Sequence, residues 1–131
     1  MCQLLAAWQP RVLSLLRFMS GLLLLQHGTQ KMLGFPAFAA PRVIEFGSLV
    51  WFSGAIELVC GVLLVLGLFT RQAAFLASGF TAVAYFMSHA PRAFFPILNG
   101  GELAALYSFV FLYLVFAGGG SLSVDAKRAS A

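Results

Sequence analysis

Six side chains able to do chemistry are spread along this chain: His27, Lys31, Glu57, His89, Asn99 and Glu102. Two imidazoles and two carboxylates form a donor set that could hold iron, manganese or zinc. The histidines alone could serve as axial ligands of a haem. Converging in an apolar setting, the same groups could hydrogen-bond a quinone or another small amphipathic molecule. A fourth arrangement needs no ligand: buried pairs, Glu57 with His27 or Arg17 and Lys31 with Glu102, would fix helix order and register. Spacing favours the last two arrangements, because the ligand types come from separate stretches and no E-x-x-H pair occurs.

The elements that must position these groups are apolar helices. Of the residues, 61% are hydrophobic and only 9% charged, too apolar for a soluble domain, in which about a quarter are charged. Four apolar blocks, at about 12–33, 47–69, 72–89 and 102–117, each approach the length of roughly 20 residues that a spanning helix needs. Runs such as GLLLL and LVCGVLLVLGLF do not alternate, which excludes a membrane barrel. The expected fold is an all-α, four-span bundle in a single domain.

The first span, RFMSGLLLLQHGTQKMLG (17–34), organises the rest. At about 100° per residue, Arg17, Ser20, Gly21, Leu24, His27, Gly28 and Lys31 share one sector of its surface. A central charge costs roughly 2.5–3.5 kcal/mol on insertion scales, so this sector must face other helices or a wet cavity. Arg17 interrupts the apolar core and no small-residue cleavage site follows, so the span is not read as a signal peptide. In the second span Gly47, Gly54 and Gly61 recur every seven residues and mark the face that packs on the first helix. Glu57 borders this seam near mid-membrane and needs a partner. Arg17, Gly28, Gly54 and Gly61 are thus structural expectations. The third span carries Ser78, Thr81, Ala82, Tyr85 and His89 at spacings of three and four, another small and polar interface stripe.

Residues 1–11 are read as an interfacial lead, 34–46 as a headgroup-layer segment or lid, and the polar tail 121–131 as fraying into the cytoplasm. With both termini cytoplasmic, that side holds Arg11, Arg17, Arg71, Lys127 and Arg128 against Lys31, Arg42 and Arg92 outside, as the positive-inside rule favours. The net charge of +4 therefore follows from topology, and the scattered basic residues give no nucleic-acid module. Neither Cys2 nor Cys60 falls in an oxidising compartment, and Cys60 reads as a small buried apolar residue.

The stretches 17–34, ELVCGVLLVLGLFTR (57–71), NGGELAALY (99–107) and GGGSLSVD (118–125) together resemble the DoxX family of small bacterial inner-membrane proteins, in order and over nearly the whole chain. The resemblance implies a four-helix bundle in the inner membrane. Some DoxX-like and DoxD-like proteins are associated with thiosulfate:quinone oxidoreduction, others with membrane oxidoreductase complexes that handle thiol and oxidative stress. Carried onto this chain, the recurrent polar positions are His27, Gly28, Lys31, Gly34, Glu57, Gly61, Arg71, Asn99, Gly100, Glu102 and Asp125. Where members often have G-P-G before the final S-x-D, this chain has Gly118-Gly119-Gly120.

The expected function is a membrane subunit of an oxidoreductase system, binding a quinone or a small thiol or sulfur compound in a periplasm-facing pocket of His27, Lys31, Glu57, His89, Asn99 and Glu102. The alternative is a non-enzymatic anchor or assembly partner. Expected partners are the lipid bilayer, a separate electron-carrying protein and a second copy of the chain.

Overall fold

The computed structural model describes residues 2–130, with side chains from residue 5 onward. The described residues form six helices and no strand: α1 Cys2–Leu33, α2 Leu49–Leu66, α3 Thr70–Ser88, α4 Pro96–Asn99, α5 Glu102–Ala117 and α6 Val124–Ala129. Four are long, and they make two antiparallel hairpins.

The first hairpin is α1 against α2, and its closeness comes from glycine. A Cβ on Gly21 would lie 2.8 Å from Leu64 Cβ, one on Gly28 2.6 Å from Leu58 Cα, one on Gly54 2.7 Å from Lys31 Cβ and one on Gly61 2.6 Å from Leu25 Cα. Gly21 and Gly28 are seven residues apart, as are Gly54 and Gly61, so each helix presents small residues along one face. Gly47 does not extend the series: it lies in the turn before α2, whose N-terminus is capped by Ser48 Oγ accepting from Trp51 N at 3.2 Å. Gly67, left-handed at φ 69°, ends α2.

The second hairpin pairs α3 with α5. Ala73, Ala74 and Ala77 leave room for Tyr107, Phe111 and Leu114, which join Leu24, Cys60 and Leu64 in one buried core. Ser78 Oγ donates to Ser108 O at 2.8 Å, and Arg71 to Val115 O at 2.9 Å, fixing the antiparallel register. Outside this core the long helices are ringed by exposed apolar side chains, among them Leu15, Phe52, Phe75, Phe86, Phe109 and Phe116. Among the described residues, α2 is the one helix both long and apolar enough by itself to cross a membrane, and α5 is apolar but 16 residues long.

Two segments, residues 2–11 and the tail, differ from the sequence expectation. Residues 2–11 are not a separate lead: α1 continues through Pro10, whose carbonyl accepts from Ser14 Oγ at 2.9 Å and Ser121 N at 3.2 Å. Residues 34–48 form irregular, mostly exposed chain, with Arg42 over the Phe38 ring at 5.9 Å. The tail does not fray. It turns at Ser123, which caps α6, and docks back on the start of α3.

Candidate functional site

Lys31 and Glu57 meet where the glycine seam brings α1 and α2 closest. Lys31 Nζ lies 2.8 Å from Glu57 Oε1, 2.7 Å from Oε2 and 3.0 Å from Ser53 Oγ. The contacts to Glu57 Oε1 and Ser53 Oγ are hydrogen bonds, while that to Oε2 is an ion-pair contact and this oxygen has no hydrogen-bond partner among the described residues. Ser53 in turn donates to Val50 O at 2.7 Å, which orients its lone pairs to the lysine. The two side chains are 22% and 9% exposed, so the pair sits at the margin of the buried interior. Gly54 makes it possible, since any side chain there would displace the lysine stem.

The partner of Glu57 is therefore Lys31, and neither His27 nor Arg17 bonds to it. His27 is exposed, and so is Glu102, which does not reach Lys31. The reason for His27 is angular: it sits about 80° around α1 from Arg17, at the edge of the predicted sector. The middle of that sector behaves as expected, with Arg17, Ser20, Gly21, Leu24 and Gly28 all buried.

His89 and Asn99 form a separate cluster at the same end of the bundle. Asn99 is 3% exposed and fully engaged: Nδ2 donates to Ala93 O at 2.9 Å and Tyr85 Oη at 3.3 Å, while Oδ1 accepts from Gly101 N at 2.8 Å. His89 Nδ1 lies 3.1 Å from Asn99 O, and because a carbonyl only accepts, Nδ1 carries the proton. The ring stacks beside Tyr85. This network closes the connection between α3 and α5, with Gly101 packed against the Tyr85 ring.

A third polar cluster occupies the opposite end. Arg17, 2% exposed, donates through Nε to Gly119 O at 2.9 Å, through Nη1 to Leu64 O and to Val65 O at 2.8 Å, and through Nη2 to Leu122 O at 2.7 Å. Leu64 and Val65 lie in the last turn of α2, where the Leu64 carbonyl also accepts from Gly67 N at 3.2 Å and the helix dipole favours a cation. The tail is held further by Leu122 N donating to Ser14 Oγ at 3.0 Å. Asp125 Oδ1 accepts from Phe69 N at 2.9 Å and Oδ2 from Thr70 N at 2.8 Å. This carboxylate caps α3 from 55 residues away, in place of the missing side-chain cap at Phe69. Burial alone would raise the Asp125 carboxyl, but the N–H groups of Thr70 and Phe69 and the nearby Arg128 more than reverse this, and it lies below its ordinary value.

Sequence reasoning missed this clasp. The signal was present in Asp125, one of the positions carried over by resemblance, and in Ser123, an N-cap residue before a short helical run. Among the described residues no three His, Cys, Asp or Glu side chains gather as a metal site would require.

The family model for DoxX matches residues 12–90. An uncharacterized protein from Haemophilus influenzae is 45% identical over 124 residues, covering 92% of each chain. No solved structure matches. The match to the family model covers both sides of the Lys31–Glu57 pair and the whole glycine seam, and the relative aligns along nearly all of the chain. This protein therefore belongs to the DoxX family, a membrane-associated group.

Proposed function

We propose that the chain is a multi-pass inner-membrane protein, one four-span domain in which α1, α2, α3 and α5 cross the bilayer, and that it serves an oxidoreductase system as its membrane anchor or assembly partner. Both termini face the cytoplasm. Support for the spans comes from the exposed apolar ring on all four long helices together with the inward turn of Arg17 and Lys31, which leaves the lipid-facing side of α1 apolar. The redox setting rests on the family, and the electron-carrying protein is a separate chain.

The observation that favours anchoring over ligand chemistry is the engagement of Lys31 by Glu57 and Ser53. A quinone carbonyl or a sulfur oxyanion needs a donor, and the Lys31 ammonium already spends two of its three N–H groups on Glu57 Oε1 and Ser53 Oγ and its charge on the Glu57 carboxylate. The six residues expected to build one pocket instead fall into the Lys31–Glu57 pair, the His89–Asn99 network and two exposed groups, His27 and Glu102.

The test is a thermal-unfolding series on the detergent-purified chain with a short-chain ubiquinone analogue or thiosulfate. Neither should raise the melting temperature. A concentration-dependent rise that disappears in Glu57→Gln would restore the ligand pocket and refute the anchoring role.

A further inference from the structure

The whole net charge of the protein resides at one end. Arg11, Arg17, Arg71, Lys127 and Arg128 stand there against Asp125 alone, giving +4, whereas at the other end Lys31, Arg42 and Arg92 are matched by Glu45, Glu57 and Glu102. Two clefts meet at the charged end. The first, about 420 Å³, lies between the start of α3 and the 118–126 segment, with Arg71, Gln72 and Gly119 in its lining. The second, about 530 Å³, is an apolar groove between α1 and α5 bordered by Pro10, Leu13, Tyr113 and Phe116. They share Ala117 and Gly120. We propose that the two clefts form one binding site for an anionic phospholipid, the groove taking acyl chain and the cleft beside Arg71 taking the phosphate.

The parts match that occupant in order along the membrane normal. Phe116 is 74% exposed and Tyr113 51%, so the groove opens sideways, which is toward lipid once the bundle lies in a bilayer. Arg71 is exposed and uses Nη1 on Val115 O, which holds the guanidinium over the cleft while its other nitrogens, 3.5–3.7 Å from where a Gly118 Cβ would stand, remain for a phosphate. The amides of Gly119 and Gly120 donate to no protein group among the described residues. Asp125 also lines the cleft, but both its oxygens are engaged by the α3 amides, and Lys127 and Arg128 follow it directly in α6. Each Lys or Arg near an anionic leaflet contributes about 1 kcal/mol of attraction, roughly fivefold in binding. This inference is independent of the redox role and needs only the bundle to lie in a bilayer.

Native mass spectrometry of the full chain, released from detergent with phosphatidylglycerol or phosphatidylcholine, tests it. Wild type should retain phosphatidylglycerol in preference, Arg71→Gln should lose roughly fivefold of that retention, and Arg71→Lys should keep most of it. Arg42→Gln, at the end whose charges balance, should change nothing. Equal retention of the two lipids, or equal losses in Arg71→Gln and Arg42→Gln, would overturn the site. Inorganic phosphate stabilising the protein as strongly as the lipid does would make this a site for a soluble phosphate and would overturn the lipid assignment.

Discussion

Arg17 and Lys31 lie on the same face of α1, fourteen residues and about 21 Å apart, yet the two cations are neutralised differently. Lys31 meets a carboxylate, Glu57, across the glycine seam, and charge cancels charge. Arg17 meets no carboxylate; four backbone carbonyls from the end of α2 and from the tail surround it. The first solution ties two helices at one level. The second ties α1, α2 and the C-terminal segment together and leaves a net positive charge at its end of the molecule. A planar guanidinium with five donors suits the divergent carbonyls, and a compact ammonium suits a single carboxylate and hydroxyl.

The largest effect should come from the arginine. Arg17→Met strands buried carbonyls on two segments and should lower stability by about 4 kcal/mol or more, releasing the tail. Unfolding in detergent, with limited proteolysis after residue 117, would show both changes together. A mild loss with the tail still protected would mean that the carbonyls find other donors.

Glu57→Met should cost less, about 2–3 kcal/mol, because the abandoned Lys31 is 22% exposed and its stem can carry the charge outward. If Glu57→Met proved as damaging as Arg17→Met, the contrast between the two sites would vanish.

The smallest effect concerns the clasp. Asp125→Asn should cost about 1 kcal/mol, in the range of a lost N-cap. Since the folded-state pKa of Asp125 lies below that of the unfolded chain, its contribution is complete above the unfolded value of about 3.9 and is lost as pH falls through the folded one. Wild type and Asp125→Asn should therefore differ in stability at neutral pH and converge in strong acid. A constant gap across that range would remove the charge from the account.

Much of the first hairpin could be read from residue spacing. The 100° advance placed Arg17, Ser20, Gly21, Leu24 and Gly28 on one face, and all are buried. The seven-residue glycine spacing likewise identified Gly54 and Gly61 as contact points. What a single helix cannot reveal is register between helices, and the partner of Glu57 depends on that alone: with Gly28 against Leu58 and Gly54 against Lys31, the carboxylate lies level with the lysine. The clasp was hidden for a related reason. A polar, basic tail has the composition of a frayed end, and its order comes from contacts with α1 and α3 that are distant in sequence.

The claim that Lys31 and Glu57 form a structural pair, and not a site of chemistry, is tested most directly by replacing both. In Lys31→Met/Glu57→Met no charge is left unpaired, so the double variant should recover stability to within about 1 kcal/mol of wild type and keep full activity in cells lacking the native chain. A double variant that folds and melts like wild type but fails to restore activity would contradict the account and return the pair to chemistry.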